Sequence, residues 1–438
     1  MECRALISLA SEPGRARHAS IGICGDRSSG DVVIILVDAG RVVGMRVRRL
    51  HPDGAGASKG SYSGLRYFDL YVRLVGARWN FTHHPHSYER MMEVSFVVHP
   101  LAVMAVSFVC SALLMPGLIR VLKRMKMGKS IRDVASAPIM AAMHAAKAGT
   151  PTMGGIVIWS VVAAVMLGIA GACNLGWSTA CGWSFWSRGQ TWLPFGLMLA
   201  AALVGLVDDY LNIRHLGPKG GGLSVAYRFL SYALIAAIGA WWFWSKLDWD
   251  QIHVPFVGMF HVGWWYIPFF LFVIVATSHS VNVTDGLDGL VGGTLLASFA
   301  AYTVIAWSQG RVDLAVFCAS IIGALLGFLW FNINPAEVFM GDTGAMSLGT
   351  ALGVVALMTH QALLLPLIGL PFVVESASVI LQSASKKLRG GKKIFKSSPL
   401  HHHLEASGWS EPRIVMRFWM ISFVTAGVGI VIALMDKV

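Results

Sequence analysis

Residues 312–331 read ValAspLeuAlaValPheCysAlaSerIleIleGlyAlaLeuLeuGlyPheLeuTrpPhe, an apolar run whose only charge is Asp313. As a helix rising about 1.5 Å per residue, it is long enough to cross roughly 30 Å of hydrocarbon. Similar runs fall near 95–119, 154–173, 193–210, 227–245, 263–281, 290–308, 344–360, 362–384 and 414–435. About ten spans predict an all-α polytopic membrane protein, because only helices and closed barrels satisfy their backbone in lipid. A β-barrel would show short alternating strands instead.

Composition agrees. The chain is 55% hydrophobic and 13% charged, where a soluble domain carries about 25% charged residues. The net charge of +12 could suggest a nucleic-acid partner, but basic cytoplasmic loops explain it better in a membrane protein. Those loops are visible. Segment 120–149 holds Arg120, Lys123, Arg124, Lys126, Lys129, Arg132 and Lys147. Segment 385–417 holds Lys386, Lys387, Arg389, Lys392, Lys393, Lys396, Arg413 and Arg417. The opposite loops carry only Arg188 (174–192) and Arg311 (309–313). The basic loops are therefore expected inside and both termini outside. Trp177, Trp183, Trp186, Trp192, Trp241, Trp242, Trp244, Trp249, Trp264 and Trp265 cluster on the outer side as an interfacial belt. The cysteines form no CxxC pair or metal spacing; Cys173 and Cys181 share an outer loop and could pair there.

Residues 1–90 differ: they are rich in Gly, Ser and Arg, and ValValIleIleLeuVal (32–37) is too short to span. No apolar h-region marks a signal peptide. Met91 and Met92 precede the first long run. The expectation is a disordered or misassigned extension over 1–90, translation starting near Met91, and one ten-helix domain over 91–438. Mass spectrometry of the native N-terminus decides it.

Acidic residues are scarce in the membrane part, so their positions carry weight. Asp208 and Asp209 end the third span; alone, the pair also reads as a solvated helix end. Asn282, Asp285 and Asp288 recur every three residues beside Gly286 and Gly289, a set of oxygen ligands suited to a hard cation and phosphate, or else a helix-ending loop. Asn332 and PheMetGlyAspThrGly (339–344) follow. Asp342 there gains from a helix N-terminus, or serves only as its cap. LysAlaGlyThrProThrMetGlyGly (147–155) offers the Lys147 ammonium plus hydroxyl and N–H donors such as Thr152, or is a flexible loop. SerProLeuHisHisHisLeuGlu (398–405) places His401, His402 and His403 in a basic segment. All five clusters fall at expected inner loops. Convergent carboxylates, cations and glycines fit Mg²⁺-assisted phosphoryl transfer, which needs positioning and charge neutralisation.

These motifs, in this order, resemble the MraY family, the phospho-N-acetylmuramoyl-pentapeptide transferases of the polyprenyl-phosphate N-acetylhexosamine-1-phosphate transferase superfamily. The resemblance covers roughly 92–438. AspAspTyr and AspGlyLeuAspGly are superfamily elements; ThrProThrMetGlyGly and the histidine triplet point to MraY. It implies ten helices, periplasmic termini and a cytoplasmic site in the bacterial inner membrane. The implied substrates are UDP-MurNAc-pentapeptide and undecaprenyl phosphate; the products are lipid I and UMP, with Mg²⁺ required, in the first membrane step of peptidoglycan synthesis. By position it implies Asp342 as metal ligand, and Asp208, with Asp209 beside it, as the group that deprotonates or orients the lipid phosphate. Asp285 and Asp288 become acids near metal and nucleotide, and Asn282 and Asn332 polar partners of uridine or diphosphate. Lys147, Thr152, His401, His402 and His403 become substrate contacts. A homodimer is implied as well. Asn212 and Arg228 depart from the family, where Lys is common at both.

Three other readings, one enzyme and two non-enzyme, compete. A sister transferase would load GlcNAc-1-phosphate, but usually has an interrupted histidine motif. A transporter would carry acids at mid-span, and a scaffold would not need three acidic motifs.

Overall fold

The computed structural model describes residues 2–9, 19–25, 32–38, 41–47 and 85–436, except 129–146, 148, 178–179, 182–191 and 218–220. Lys129, Arg132, Trp183, Trp186 and Arg188 lie outside the described residues. The chain divides into two units, Met1–His84 and Pro85–Val438.

The first unit holds an antiparallel meander of β1 (Glu2–Leu9), β2 (Ala19–Gly25), β3 (Val32–Asp38) and β4 (Arg41–Val47) in sequential order. The run 32–37, too short to cross a bilayer, is β3, paired on both edges. Its β-branched residues suit a pleated strand.

The second unit is a helical bundle. Its helices are α1 (Pro85–Arg124), α2 (Gly155–Asn174), α3 (Trp192–Ile213), α4 (Val225–Leu247), α5 (Tyr266–Thr284), α6 (Leu290–Ser308), α7 (Val312–Asn332), α8 (Gly341–Met358), α9 (Leu365–Ile368), α10 (Leu370–Leu388), α11 (Leu400–Glu405) and α12 (Glu411–Met435). Among the described residues, nine helices are long and apolar enough to cross a membrane, and the segments Ala362–Ile368 and Leu370–Leu388 make a tenth span bent by 81°. The protein is a polytopic α-helical membrane protein. The span expected near 362–384 is met by this bent pair. Gly369 separates the two pieces, and Pro371 opens the second with no N–H to continue the first.

Burial decides which helices are central. The apolar windows of α7 and α8 are 83% and 94% buried, against 28% for α1, α2, α4 and α12. With no hydrophobic force between helices in lipid, close approach needs small residues. Gly327 of α7 packs on Ser111 and Ala112 of α1, and Gly349 of α8 on Ser278 of α5.

Successive spans alternate direction. The ends of α1, α3, α5, α7 and α10 therefore meet the starts of α2, α4, α6, α8 and α12 at one end of the bundle, called here the basic end after Lys123, Arg124, Lys386 and Lys387. At the other end Trp177, Trp241, Trp264 and Trp265 are exposed, as expected of an interfacial belt. There a hairpin of β5 (Gln251–Val254) and β6 (Gly258–His261) joins α4 to α5, and a Cys173–Cys181 disulfide closes a turn after α2.

Candidate active site

Asp208 and Asp209 lie in the last turns of α3, in successive directions. Asp208 Oδ1 accepts the Leu223 N–H at 2.6 Å, and Oδ2 lies 2.6 Å from Arg228 Nε, paired by charge although not aligned as a hydrogen bond. The same guanidinium sits 3.3 Å from Asp342 Oδ2. Arg228, in the first turns of α4, thus bridges two carboxylates 134 positions apart (342 − 208). Asp342 Oδ1 accepts the Asn282 side-chain N–H at 2.6 Å.

Asp209 faces the head of α8. Its two oxygens accept the backbone N–H groups of Asp342 and Thr343, each at 3.0 Å. It fills the place of a helix cap, where unpaired N–H groups and the helix dipole favour an anion. Gly341 makes this approach possible. Its φ is +77°, and a Cβ there would sit 2.6 Å from Asp209 Oδ2.

The first loop is stitched to the α7–α8 loop. Phe339 N–H donates to Pro151 O, Gly154 N–H to Phe339 O and Gly155 N–H to Met340 O, at 2.8–2.9 Å. Gly155 packs directly on Gly344, with no room for a side chain on either. This is the physical content of ThrProThrMetGlyGly: glycines let two backbones touch, and the contact carries Thr152 to the site. One pocket is lined by Thr152, Asp209, Asn212, Ile213, Asn282, Asp285, Phe339, Gly341 and Asp342.

A second cluster adjoins it. Lys147 Nζ lies 2.7 Å from Asp288 Oδ1 and 2.5 Å from Glu411 Oε1. It also lies 6.0 Å from the Phe339 ring, whose residue lines the pocket. In the third cluster His401, fully buried, places Nδ1 2.9 Å from Oε2 of the equally buried Glu375. His401 Nε2 has no hydrogen-bond partner and abuts Gly286 in the α5–α6 turn. His402 Nδ1 pairs with Glu405 at 2.7 Å, and His403 Nδ1 accepts the Lys396 N–H at 3.1 Å.

The structure therefore brings Asp209, Asn282, Asp285, Asp342 and Thr152 around one pocket, with Asp208 joined to Asp342 through Arg228 and Lys147, Asp288 and His401 against its neighbouring turn. Asn332 is not in the pocket lining. Its side-chain oxygen accepts the Gly289 N–H at 3.0 Å and its amide donates to Val338 O at 2.8 Å. Each end of the amide holds backbone, so Asn332 pins the two loops together. Sequence reasoning missed Glu375 and Glu411. A lone acid within an apolar span is a functional flag by itself, and Glu375 carries that signal.

Among the described residues no three His, Cys, Asp or Glu side chains form a ready metal cage. Mg²⁺ is usually held by one or two carboxylates together with substrate phosphates and water. Asp209, Asp285 and Asp342 line the pocket, and one guanidinium, Arg228, sits against Asp342. Hard oxygen donors and excess negative charge fit such a cation.

The glycosyl transferase family 4 model matches residues 191–360 of this helical membrane bundle. A phospho-N-acetylmuramoyl-pentapeptide-transferase signature matches 147–158. A protein of that name from Geobacillus thermodenitrificans is 42% identical over 330 residues, 75% of this chain and 96% of the relative. One from Levilactobacillus brevis is 40% identical over 328 residues, 74% and 96%, and one from Listeria monocytogenes 37% over 331 residues, 75% and 97%. The chain belongs to the phospho-N-acetylmuramoyl-pentapeptide-transferase family.

Proposed function

We propose that this protein transfers phospho-MurNAc-pentapeptide from UDP-MurNAc-pentapeptide to undecaprenyl phosphate, giving lipid I and UMP, at the cytoplasmic face of a bacterial inner membrane. The observation that carries the reading is the meeting of Asp208 and Asp342 on Arg228 beside Asn282, at the bundle end that also holds Lys147. Lys- and Arg-rich loops at that end support a cytoplasmic orientation. The relatives' printed names favour this substrate over UDP-GlcNAc. Nearly the whole of each relative aligns with about three quarters of this chain, which supports residues 1–90 as an appendage to a transferase domain over 91–438.

A lipid phosphate oxygen attacks the β-phosphorus of the nucleotide sugar, and the bond to the UMP oxygen breaks. A phosphate monoester is already anionic near neutral pH, so positioning outweighs activation, and a covalent aspartyl-phosphate is unnecessary. Asp208, in the last turns of α3, orients the attacking phosphate and takes its remaining proton. Arg228 holds Asp208 and Asp342 in register. Asp342, with Asp285 nearby, would hold Mg²⁺, which when bound supplies charge stabilisation at the diphosphate. Asn282 fixes Asp342, Asp209 fixes the head of α8, and Thr152 and Asn212 offer polar groups to the nucleotide. Lys147 and the His401–His403 turn meet the sugar-peptide side. A homodimer, implied by the resemblance, is tested by sedimentation in detergent.

UMP release by detergent-solubilised protein, with UDP-MurNAc-pentapeptide or UDP-GlcNAc and with or without Mg²⁺, tests the reading. Release only with the first sugar and with Mg²⁺ is expected. A preference for UDP-GlcNAc would transfer the chain to the sister activity.

A further inference from the structure

Glu411 opens α12, and its carboxylate gathers groups from three other loop segments. Oε1 accepts the Asp288 N–H at 2.6 Å and meets the Lys147 ammonium at 2.5 Å. Oε2 accepts the Asn334 side-chain N–H at 3.1 Å. Asp288 closes the ring: Oδ1 lies 2.7 Å from Lys147, while Oδ2 accepts from Asn334 at 3.0 Å and from the Ala336 N–H at 3.1 Å. The two carboxylates are 12% and 3% exposed. Two such anions, both drawn from water, repel unless a cation lies between them. Lys147 is that cation. The first loop, the α5–α6 turn, the α7–α8 loop and the head of α12 thus share one knot.

We propose that Glu411 is a positioning residue of the transfer reaction: it fixes the Lys147 ammonium and the Asp288 turn in one register beside the pocket. The proposal rests on the reading of that pocket as the reaction site. A lysine head is a hydrated point charge on a four-carbon flexible stem. Held by Asp288 alone it has a single anchor. Held between Asp288 and Glu411 it has two, on elements that are distant in sequence. Glu411 is not among the groups lining the pocket, so it acts through Lys147 and Asp288.

The test uses the full chain in detergent. Lys147 is acylated with a water-soluble succinimidyl ester, and its rate is read by peptide mass spectrometry against exposed Lys393 in the same molecules. In the wild type Lys147 reacts more slowly than Lys393. Glu411→Gln speeds Lys147 labelling by at least about ten-fold, the scale of one lost hydrogen bond to a charged group. It also lowers kcat for UMP release more than it raises KM. Glu411→Asp restores part of both. Equal Lys147 rates in wild type and Glu411→Gln overturn the proposal. So do equal Lys147 and Lys393 rates in the wild type, a comparison that needs no variant to fold. Absence of UMP release from the wild type would strike the reaction reading alone, because labelling is read independently of turnover.

Discussion

Adjacent acids do different work here. Asp208 pairs with Arg228 and faces Asp342 through it, while Asp209 turns to cap α8 from 133 positions upstream. Asp342→Ala removes the group shared by Asn282 and Arg228, and UMP release should fall by at least about 100-fold; a variant with most of its activity would remove Asp342 from the chemistry. Asp208→Asn should slow turnover strongly while nucleotide-sugar binding, followed by calorimetry, survives; loss of binding instead would make Asp208 a nucleotide ligand. Asp209→Ala strands two buried N–H groups and should cost about 1–3 kcal/mol of stability, read as a lower unfolding temperature with folding retained; an unchanged temperature would contradict the cap. The motifs were legible because scarce acids in apolar sequence stand out. Their division of labour was not. Spacing raised the cap reading for Asp342 itself, yet the helix it opens is capped by Asp209, and such a contact leaves no local mark.

At the scale of elements, one glycine contact and a set of backbone bonds place the site. Gly155 against Gly344 brings α2 and α8 together, and the backbone bonds of 151–155 to 339–340 hang Thr152 beside the pocket. Gly155→Ala forces the two helices apart, and overpacking of this kind costs about 1–3 kcal/mol. The expected result is a lower unfolding temperature together with reduced UMP release; a fully active, fully stable variant would show that the contact yields. Span positions were legible because length and apolarity are local properties. The 81° break at Gly369 was hidden, since the residues on both sides remain apolar. The Glu375–His401 pair was hidden for a different reason: it joins α10 to a short helix that forms only once the chain has packed.

Across the whole membrane unit, alternating spans put every acidic motif at one end and the belt tryptophans Trp177, Trp241, Trp264 and Trp265, the hairpin and the disulfide at the other. That arrangement was legible from loop charge, because the bilayer imposes it on the sequence. The outer-end packing was not. His360, in the turn after α8, stacks on Trp249 at 4.4 Å. Burial first, then Arg311 and His253, push its imidazole down from 6.5 to about 4. The unfolded chain binds that proton below 6.5 and the fold resists it, so this contribution to stability is whole above about 6.5 and is lost progressively as pH falls toward about 4. The unfolding temperature should drop across that window and drop less in His360→Asn; identical profiles would remove His360 from the acid response.

The central claim is that distant acids converge into one phosphoryl-transfer pocket. UMP release from UDP-MurNAc-pentapeptide and undecaprenyl phosphate, compared between wild type and Asp342→Ala with Mg²⁺ present, tests it most directly. The account predicts lipid-dependent release by the wild type and none above background in the variant. Equal release by both, or none by a folded wild type, would contradict it.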